Sequence, residues 1–136
     1  MKKLIIFYSY TGHTKTLAKE LAAKESADIA EVLDTHRPGK LKAYTLGCYA
    51  AIKGKAWPIL PLKVDLKAYD TLVLFSPTWA SNVPPAVNTI LEQLPKGKKI
   101  LVKMVSASGN SKCKARIEEI IKAKGCTLQD FEDIKR

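Results

Sequence analysis

Acidic residues are scarce in this chain: 13 Asp and Glu stand against 23 Lys and Arg, a formal net charge of +10. Such a balance favours anionic partners, whether a phosphorylated ligand, a nucleic acid, an acidic protein or an anionic membrane surface. The lysines are spread along the chain instead of gathered in a tail, so a solvated basic surface accounts for them as well. Clustered basic residues with exposed aromatics, or a reading helix, are not evident, which argues against nucleic acid. Cysteine is sparse too. Cys48, Cys113 and Cys126 are odd in number and lack metal-ligand spacing, and His13 and His36 are not near them, so neither a disulfide framework nor a metal site is expected. Free thiols in a reducing cytoplasm are the simplest account. No run approaches the roughly 20 apolar residues that a membrane span needs, so no membrane insertion is expected. MKKLIIFYSY turns polar after a short apolar run and reads as a first strand, not a leader. No Ser/His/Asp set or Cys/His pair has a spacing suited to nucleophilic catalysis, and no catalytic acid or base is assigned.

What is present is a chain of 136 residues, 46% hydrophobic, enough for one domain over 1–136. KLIIFYS, residues 3–9, is a buried-strand run. Leu17, Ala18, Leu21 and Ala22 then share one helical face over 14–25. Residues 27–33 fit a second strand, ended by DTHRPGK. Residues 40–53 predict a helix with Leu41, Tyr44, Thr45, Cys48 and Ile52 on one face, though Gly47 weakens it by about 1 kcal/mol. KAWPILPLK, with two prolines, is an extended connector.

YDTLVLFSP carries the apolar run Leu72 to Phe75, a strand buried on both faces. Pro84 and Pro85 open a helix striped by Val87, Ile90, Leu91 and Leu94. KKILVKMVS is a fourth strand, Ser111 caps a helix turning Cys113, Ile117, Ile120 and Ile121 inward, and CTLQDFEDIKR is a fifth strand. Strands alternating with helices predict an α/β fold: a parallel sheet with helices on both faces. Ligands of such folds bind beyond the carboxyl ends of the strands, where strand order reverses. The loops there are SYTGHT, SPTWASNV and SASGN.

SYTGHT offers the hydroxyls of Ser9, Thr11 and Thr14, a glycine that permits close approach, and a following helix whose amides and dipole favour a phosphate. It lacks both GxxxxGK[ST] and GxGxxG, so a single terminal phosphate fits better than a triphosphate or dinucleotide. Ser9 or Thr11 acting simply as a helix cap explains the same residues. Trp79 could cover a flat ligand or pack on the sheet edge or the proline pair. SASGN has small side chains that let its backbone approach a ring. His13 and Lys15 could add charge near the phosphate, or contribute only an amide and a solvated side chain.

SYTGHT resembles the phosphate-binding turn of flavodoxins and flavodoxin-like flavoproteins, and HRPGKLKAY and DTLVLFSPTWASNVPPAVNTIL resemble the middle of the small flavodoxin-like proteins. The resemblance implies a three-layer αβα sandwich with a five-stranded parallel sheet in order 2-1-3-4-5, and FMN as cofactor. It implies that Ser9, Tyr10, Thr11, Gly12, His13 and Thr14 surround the phosphate. Pro77, Thr78, Trp79, Ala80, Ser81 and Asn82 would lie along the flavin ring, and Ser106, Ala107, Ser108, Gly109 and Asn110 would border its pyrimidine edge. The function implied is FMN-dependent electron transfer with a redox partner protein or small electron acceptor. Alternatives are a flavin-dependent NAD(P)H quinone reductase and a cofactor-free binding or regulatory domain with a basic surface. Two features depart from the pattern: the chain is basic, and SASGN has no aromatic. With no clear helix after the fifth strand, either the end of the chain packs differently or a second subunit covers that side of the sheet, and a homodimer is expected.

Overall fold

The computed structural model describes residues 2–136. Its single sheet holds five parallel strands in the order β2-β1-β3-β4-β5. They are β1 (Lys3–Phe7), β2 (Asp28–Glu31), β3 (Thr71–Pro77), β4 (Lys99–Ser106) and β5 (Thr127–Lys135). In the central strand Thr71 to Ser76 are all buried, because alternate side chains serve opposite layers. Leu72 and Leu74 join the larger core with Val87, Ile90, Leu91, Ile117 and Ile121, while Val73 and Phe75 join Ile5, Phe7, Ala18, Ala22 and Val105. Register follows from this pairing, with Ile5 opposite Val73 and Phe7 opposite Phe75; a slip of one residue would exchange the two cores. β4 and β5 are irregular between Ile100 and Leu101, where one residue of β5 is skipped.

The helices are α1 (His13–Glu25), α2 over residues 40–52, α3 (Pro85–Glu92) and α4 (Lys114–Ala123). α2 begins as Lys40–Lys42, passes through a π segment, Ala43–Gly47, and ends as Cys48–Ile52. Its orientation overturns the expectation from spacing. Leu41, Tyr44 and Ile52 face solvent, and the buried side is Ala43, Gly47, Ala50 and Ala51. The small residues win because they let the helix approach its neighbours closely, which the larger stripe could not. Neither hydrophobic core takes a residue from α2.

Ser111 is also not a cap. Cys113 holds the N-cap position without a capping side-chain bond, its thiol donating instead to Ser111 Oγ at 3.4 Å, and Ser111 is buried with its amide donating to Asp133 Oδ1 at 3.0 Å. The connector 55–64 runs extended outside the sheet, held by a bridge between Asp34 and Ile59 and by hydrogen bonds of its backbone to Pro85, Asn88 and Thr89. Cys113 and Cys126 are buried free thiols and Cys48 is half-buried.

On the α1 side of the sheet, the part nearest β5 carries the Lys103–Glu132 ion pair at 2.7 Å. Leu101 and Ile134 pack there against the α1-side core, and no exposed large hydrophobic side chain lies on that strip. Between α1 and β5, Leu17, Leu21, Phe75 and Ile134 line a cleft of about 250 Å³, so the side of the sheet on which a second subunit was expected is only partly covered. Among the described residues no helix is long and apolar enough to cross a membrane.

Candidate functional site

The loops after β1, β3 and β4 converge on a cavity of about 470 Å³. It lies where strand order reverses between β1 and β3, the position at which open α/β sheets bind ligands. Tyr10, Thr11, His13 and Thr14 line it from the first loop, Pro77, Thr78, Trp79 and Ser81 from the second, and Ser106, Ala107, Ser108 and Asn110 from the third. Of the residues expected there, Ser9, Gly12, Ala80, Asn82 and Gly109 do not line it; they shape the loops that do.

In the first loop Gly12 adopts φ 103°, a conformation costly for any residue with a Cβ. Its amide donates to Ser9 Oγ at 3.0 Å, and its carbonyl accepts the Thr16 amide at 3.1 Å. No side chain caps α1, so the capping reading of Ser9 and Thr11 fails. The amides of His13 and Thr14 make no hydrogen bond within the described chain, and they point the positive end of the helix dipole out of the turn. The loop is braced from outside. Tyr10 donates its hydroxyl to the Pro38 carbonyl at 2.8 Å, and Arg37 donates to the Tyr10 carbonyl at 2.7 Å while its guanidinium sits 4.4 Å from the Tyr10 ring centroid.

The second loop is a tight reverse turn. Trp79 and Asn82 exchange backbone hydrogen bonds of 2.8 and 3.0 Å, with Ala80 and Ser81 at φ 50° and 64°. Two positive φ values in succession belong to a type I′ turn, normally built from Asn and Gly; non-glycine residues there cost about 1–2 kcal/mol each. The strain aims Trp79 into a pocket between the edges of Tyr8 and Tyr10, at centroid distances of 6.1 and 5.7 Å. A Cβ on Gly47 would come within 2.6 Å of that indole. Trp79 thus both packs and lines the cavity.

Asn82 is turned away from the cavity. Its Nδ2 donates to the Ala51 carbonyl at 3.1 Å, and its Oδ1 accepts from the Val83 amide and from Arg116 at 2.9 and 2.8 Å. It anchors α2 and α4 to the loop. Thr78 is the opposite case: its amide donates to the Val105 carbonyl at 3.0 Å, but its Oγ1 is buried without any hydrogen-bond partner. An unmatched buried hydroxyl costs about 1–3 kcal/mol and marks a place where a ligand's polar group would be satisfied.

In the third loop Ser106 Oγ accepts the Gly109 amide at 2.9 Å, and Gly109 holds φ 74° close against Lys135. The Arg136 amide donates to the Ser106 carbonyl at 2.9 Å, and Arg136 joins the cavity lining. Sequence reading missed it, since nothing in CTLQDFEDIKR signals that the end of β5 reaches this loop. No Asp or Glu lines the cavity. Behind it, Tyr8 donates to Asp34 at 2.5 Å. Burial pushes the Tyr8 phenol far up, reinforced by Asp34, and burial also raises the Asp34 carboxyl against the opposing effects of Tyr8 and Arg37. Among the described residues no group of three or more His, Cys, Asp or Glu could hold a metal.

No family model and no curated protein matches the sequence. Solved structures do match the fold. A flavoprotein from Lactobacillus acidophilus in complex with FMN aligns at TM-score 0.78 and 24% identity, over 96% of this chain and 91% of that one. The same organism's flavoprotein in its apo form aligns at 0.70 and 22%, over 97% and 92%. Oxidised flavodoxin 2 from Bacillus cereus aligns at 0.60 and 22%, over 99% and 84%. The fold is flavodoxin-like. On this flavodoxin-like sheet the three loops expected from sequence come together at one cavity, with the α1 amides at one side and the turn bearing Trp79 at another.

Proposed function

We propose that the chain binds FMN in this cavity and serves in electron transfer. The observation that carries the reading is the buried Thr78 hydroxyl without a partner, facing the same recess as the uncapped first turn of α1. The residues present fit the group. The amides of His13 and Thr14, with the hydroxyls of Thr11 and Thr14, suit the phosphate, and the absence of any lining carboxylate leaves nothing to repel it. The walls formed by Pro77, Thr78, Trp79 and Ser81 and by Ser106 to Asn110 suit a flat ring with polar edges. The FMN complex of the similar L. acidophilus protein supports the same assignment.

Bound there, FMN would supply the redox chemistry. The chain's own groups bind, orient and set the electrostatics, with Arg136 the only fully basic side chain in the lining. The third loop has no aromatic to close over a ring, and Ala107 and Ser108 are exposed. That openness favours contact with a redox partner protein or a small electron acceptor such as a quinone.

Titrating the purified protein with FMN and following the visible absorption tests the reading. A saturable spectral change is expected, and Thr11→Ala/Thr14→Ala should weaken binding about a hundredfold or more, because hydrogen bonds to a charged group are worth about 1.5–3 kcal/mol each. Unchanged affinity in that variant would remove both hydroxyls from the site. Oxidation of a reduced nicotinamide by the loaded protein, with and without quinone, separates a reductase from a carrier.

A further inference from the structure

Among the described residues, every large hydrophobic side chain left exposed falls between residues 29 and 60. Leu41, Tyr44 and Ile52 are 77%, 78% and 62% exposed along the outer stripe of α2, and Leu46 and Tyr49 on the same helix line a cavity with Trp57 and Pro58. A surface of this kind on one side of a small protein marks an interaction site. The sequence of residues 35–64 is unusual in the same place. It holds Arg37, Lys40, Lys42, Lys53, Lys55 and Lys63 but no Asp, Glu, Asn, Gln or Ser. Cations and apolar groups are interleaved: Lys42 Nζ lies 5.6 Å from the Trp57 ring centroid, and Lys53 and Lys55 lie 5.9 and 5.4 Å from that of Tyr49.

These features select among occupants. A second copy of the chain, paired face to face, would set the lysines against their own equivalents, with Asp34, already engaged by Tyr8, the one carboxylate beside them among the described residues. A specific protein partner is normally read by about one directional hydrogen bond per 100–200 Å². Besides the phenols of Tyr44 and Tyr49, which suit a headgroup boundary equally, this face offers ammonium groups on flexible stems, and Thr45 spends its hydroxyl on the Leu41 carbonyl at 2.8 Å. Protruding apolar tips among lysines match a layer of anionic groups above an apolar layer, which demands no directional code.

We propose that α2 and the connector after it dock peripherally on an anionic lipid bilayer. The tips of Leu41, Tyr44 and Ile52 enter the headgroup boundary while Lys40, Lys42, Lys53 and Lys55 pair with lipid phosphates. The helix lies on the membrane and does not span it. Gly47 on the opposite side of α2 abuts Trp79, so docking places a wall of the cavity about one helix diameter from the bilayer. The inference is independent of what the cavity holds.

Co-sedimentation of the full chain with vesicles tests it, using pure phosphatidylcholine against roughly three parts phosphatidylcholine to one of phosphatidylglycerol, at about 0.1 M salt. Binding is expected only with the anionic lipid. Leu41→Ser/Tyr44→Ser/Ile52→Ser should weaken it about tenfold or more, and so should Lys40→Gln/Lys42→Gln/Lys53→Gln/Lys55→Gln. The charge-matched control Lys19→Gln/Lys96→Gln/Lys114→Gln/Lys122→Gln should stay within about twofold of the parent. Failure of the parent to bind anionic vesicles overturns the proposal and leaves the face to an acidic protein or, since lysines and exposed aromatics do meet here, to a nucleic acid. Equal loss in the two lysine sets with no effect of the serine set also overturns it, because net charge alone would then explain the binding.

Discussion

At the scale of single residues, the informative groups are those whose bonding is unfinished or costly. Thr78 Oγ1 is buried and unpaired, so Thr78→Val, which keeps the shape and removes the hydroxyl, should stabilise the flavin-free protein by about 1 kcal/mol or more. The same variant should bind FMN more weakly. Urea unfolding without FMN and absorption titration with it read the two effects; a loss of stability without FMN would show that the hydroxyl is satisfied by water. Asp34 is the second such group. Its carboxyl is raised in the folded state, chiefly by burial, so the folded form holds the proton more tightly than the unfolded form. Its contribution to stability is therefore greatest when it is protonated and falls as pH rises from the ordinary carboxylate range through the raised value. Asp34→Asn keeps an acceptor for Tyr8 and removes the buried charge. Stability above that window should be equal or higher in the variant, with a flatter pH dependence; a clear loss at neutral pH would mean that the charge is needed to hold Arg37. Much of the site at this scale was legible, because hydroxyls, a glycine and a tryptophan at three strand ends carry their chemistry in their identity. Arg136 and the anchoring role of Asn82 were not, since each depends on which distant segment comes alongside.

At the scale of elements, α2 separates what spacing reveals from what it hides. Leu41, Tyr44, Cys48 and Ile52 recur at helical intervals, and that correctly marks a helix with an apolar face. It does not say what covers the face. The inward side is set instead by Ala43, Gly47, Ala50 and Ala51, whose small size permits contact with Trp79 and with the Asn82 amide. Gly47→Ala tests this directly. Helix propensity alone would gain about 1 kcal/mol, but the new Cβ would stand 2.6 Å from a rigid indole ring carbon, and such overpacking costs about 1–3 kcal/mol. A net loss of stability is expected, together with a changed tryptophan emission and weaker FMN binding as Trp79 shifts. A gain in stability with unchanged emission would show that α2 can move outward freely. The strands were easier to read. β3 is a continuous apolar run because both of its faces are buried, and its bounding Asp70 and Pro77 fall close to the observed ends. Ser111 was misread as a cap because a Ser ahead of an apolar stripe carries the same local signature whether it stays in solvent or, as here, is itself buried with its amide on Asp133 of β5.

At the scale of the whole molecule, the surplus of positive charge and the exposed apolar side act against each other in self-association. The apolar face of α2 would favour pairing, while the lysines around it repel a second copy. Which effect prevails depends on ionic strength, because the screening length falls from about 10 Å at 0.1 M to about 3 Å at 1 M salt. Apolar burial is not weakened by that change. We expect a monomer near 0.1 M and a growing dimer fraction near 1 M in sedimentation experiments, with Leu41→Ser/Tyr44→Ser/Ile52→Ser monomeric in both. The strip beside β5 is the competing surface, because Leu17, Leu21, Phe75 and Ile134 line a cleft there next to the ion pair of Lys103 and Glu132. A dimer present at low salt and lost as salt rises would place the contact in an ionic surface instead, and would favour the sheet side near β5 as the subunit interface.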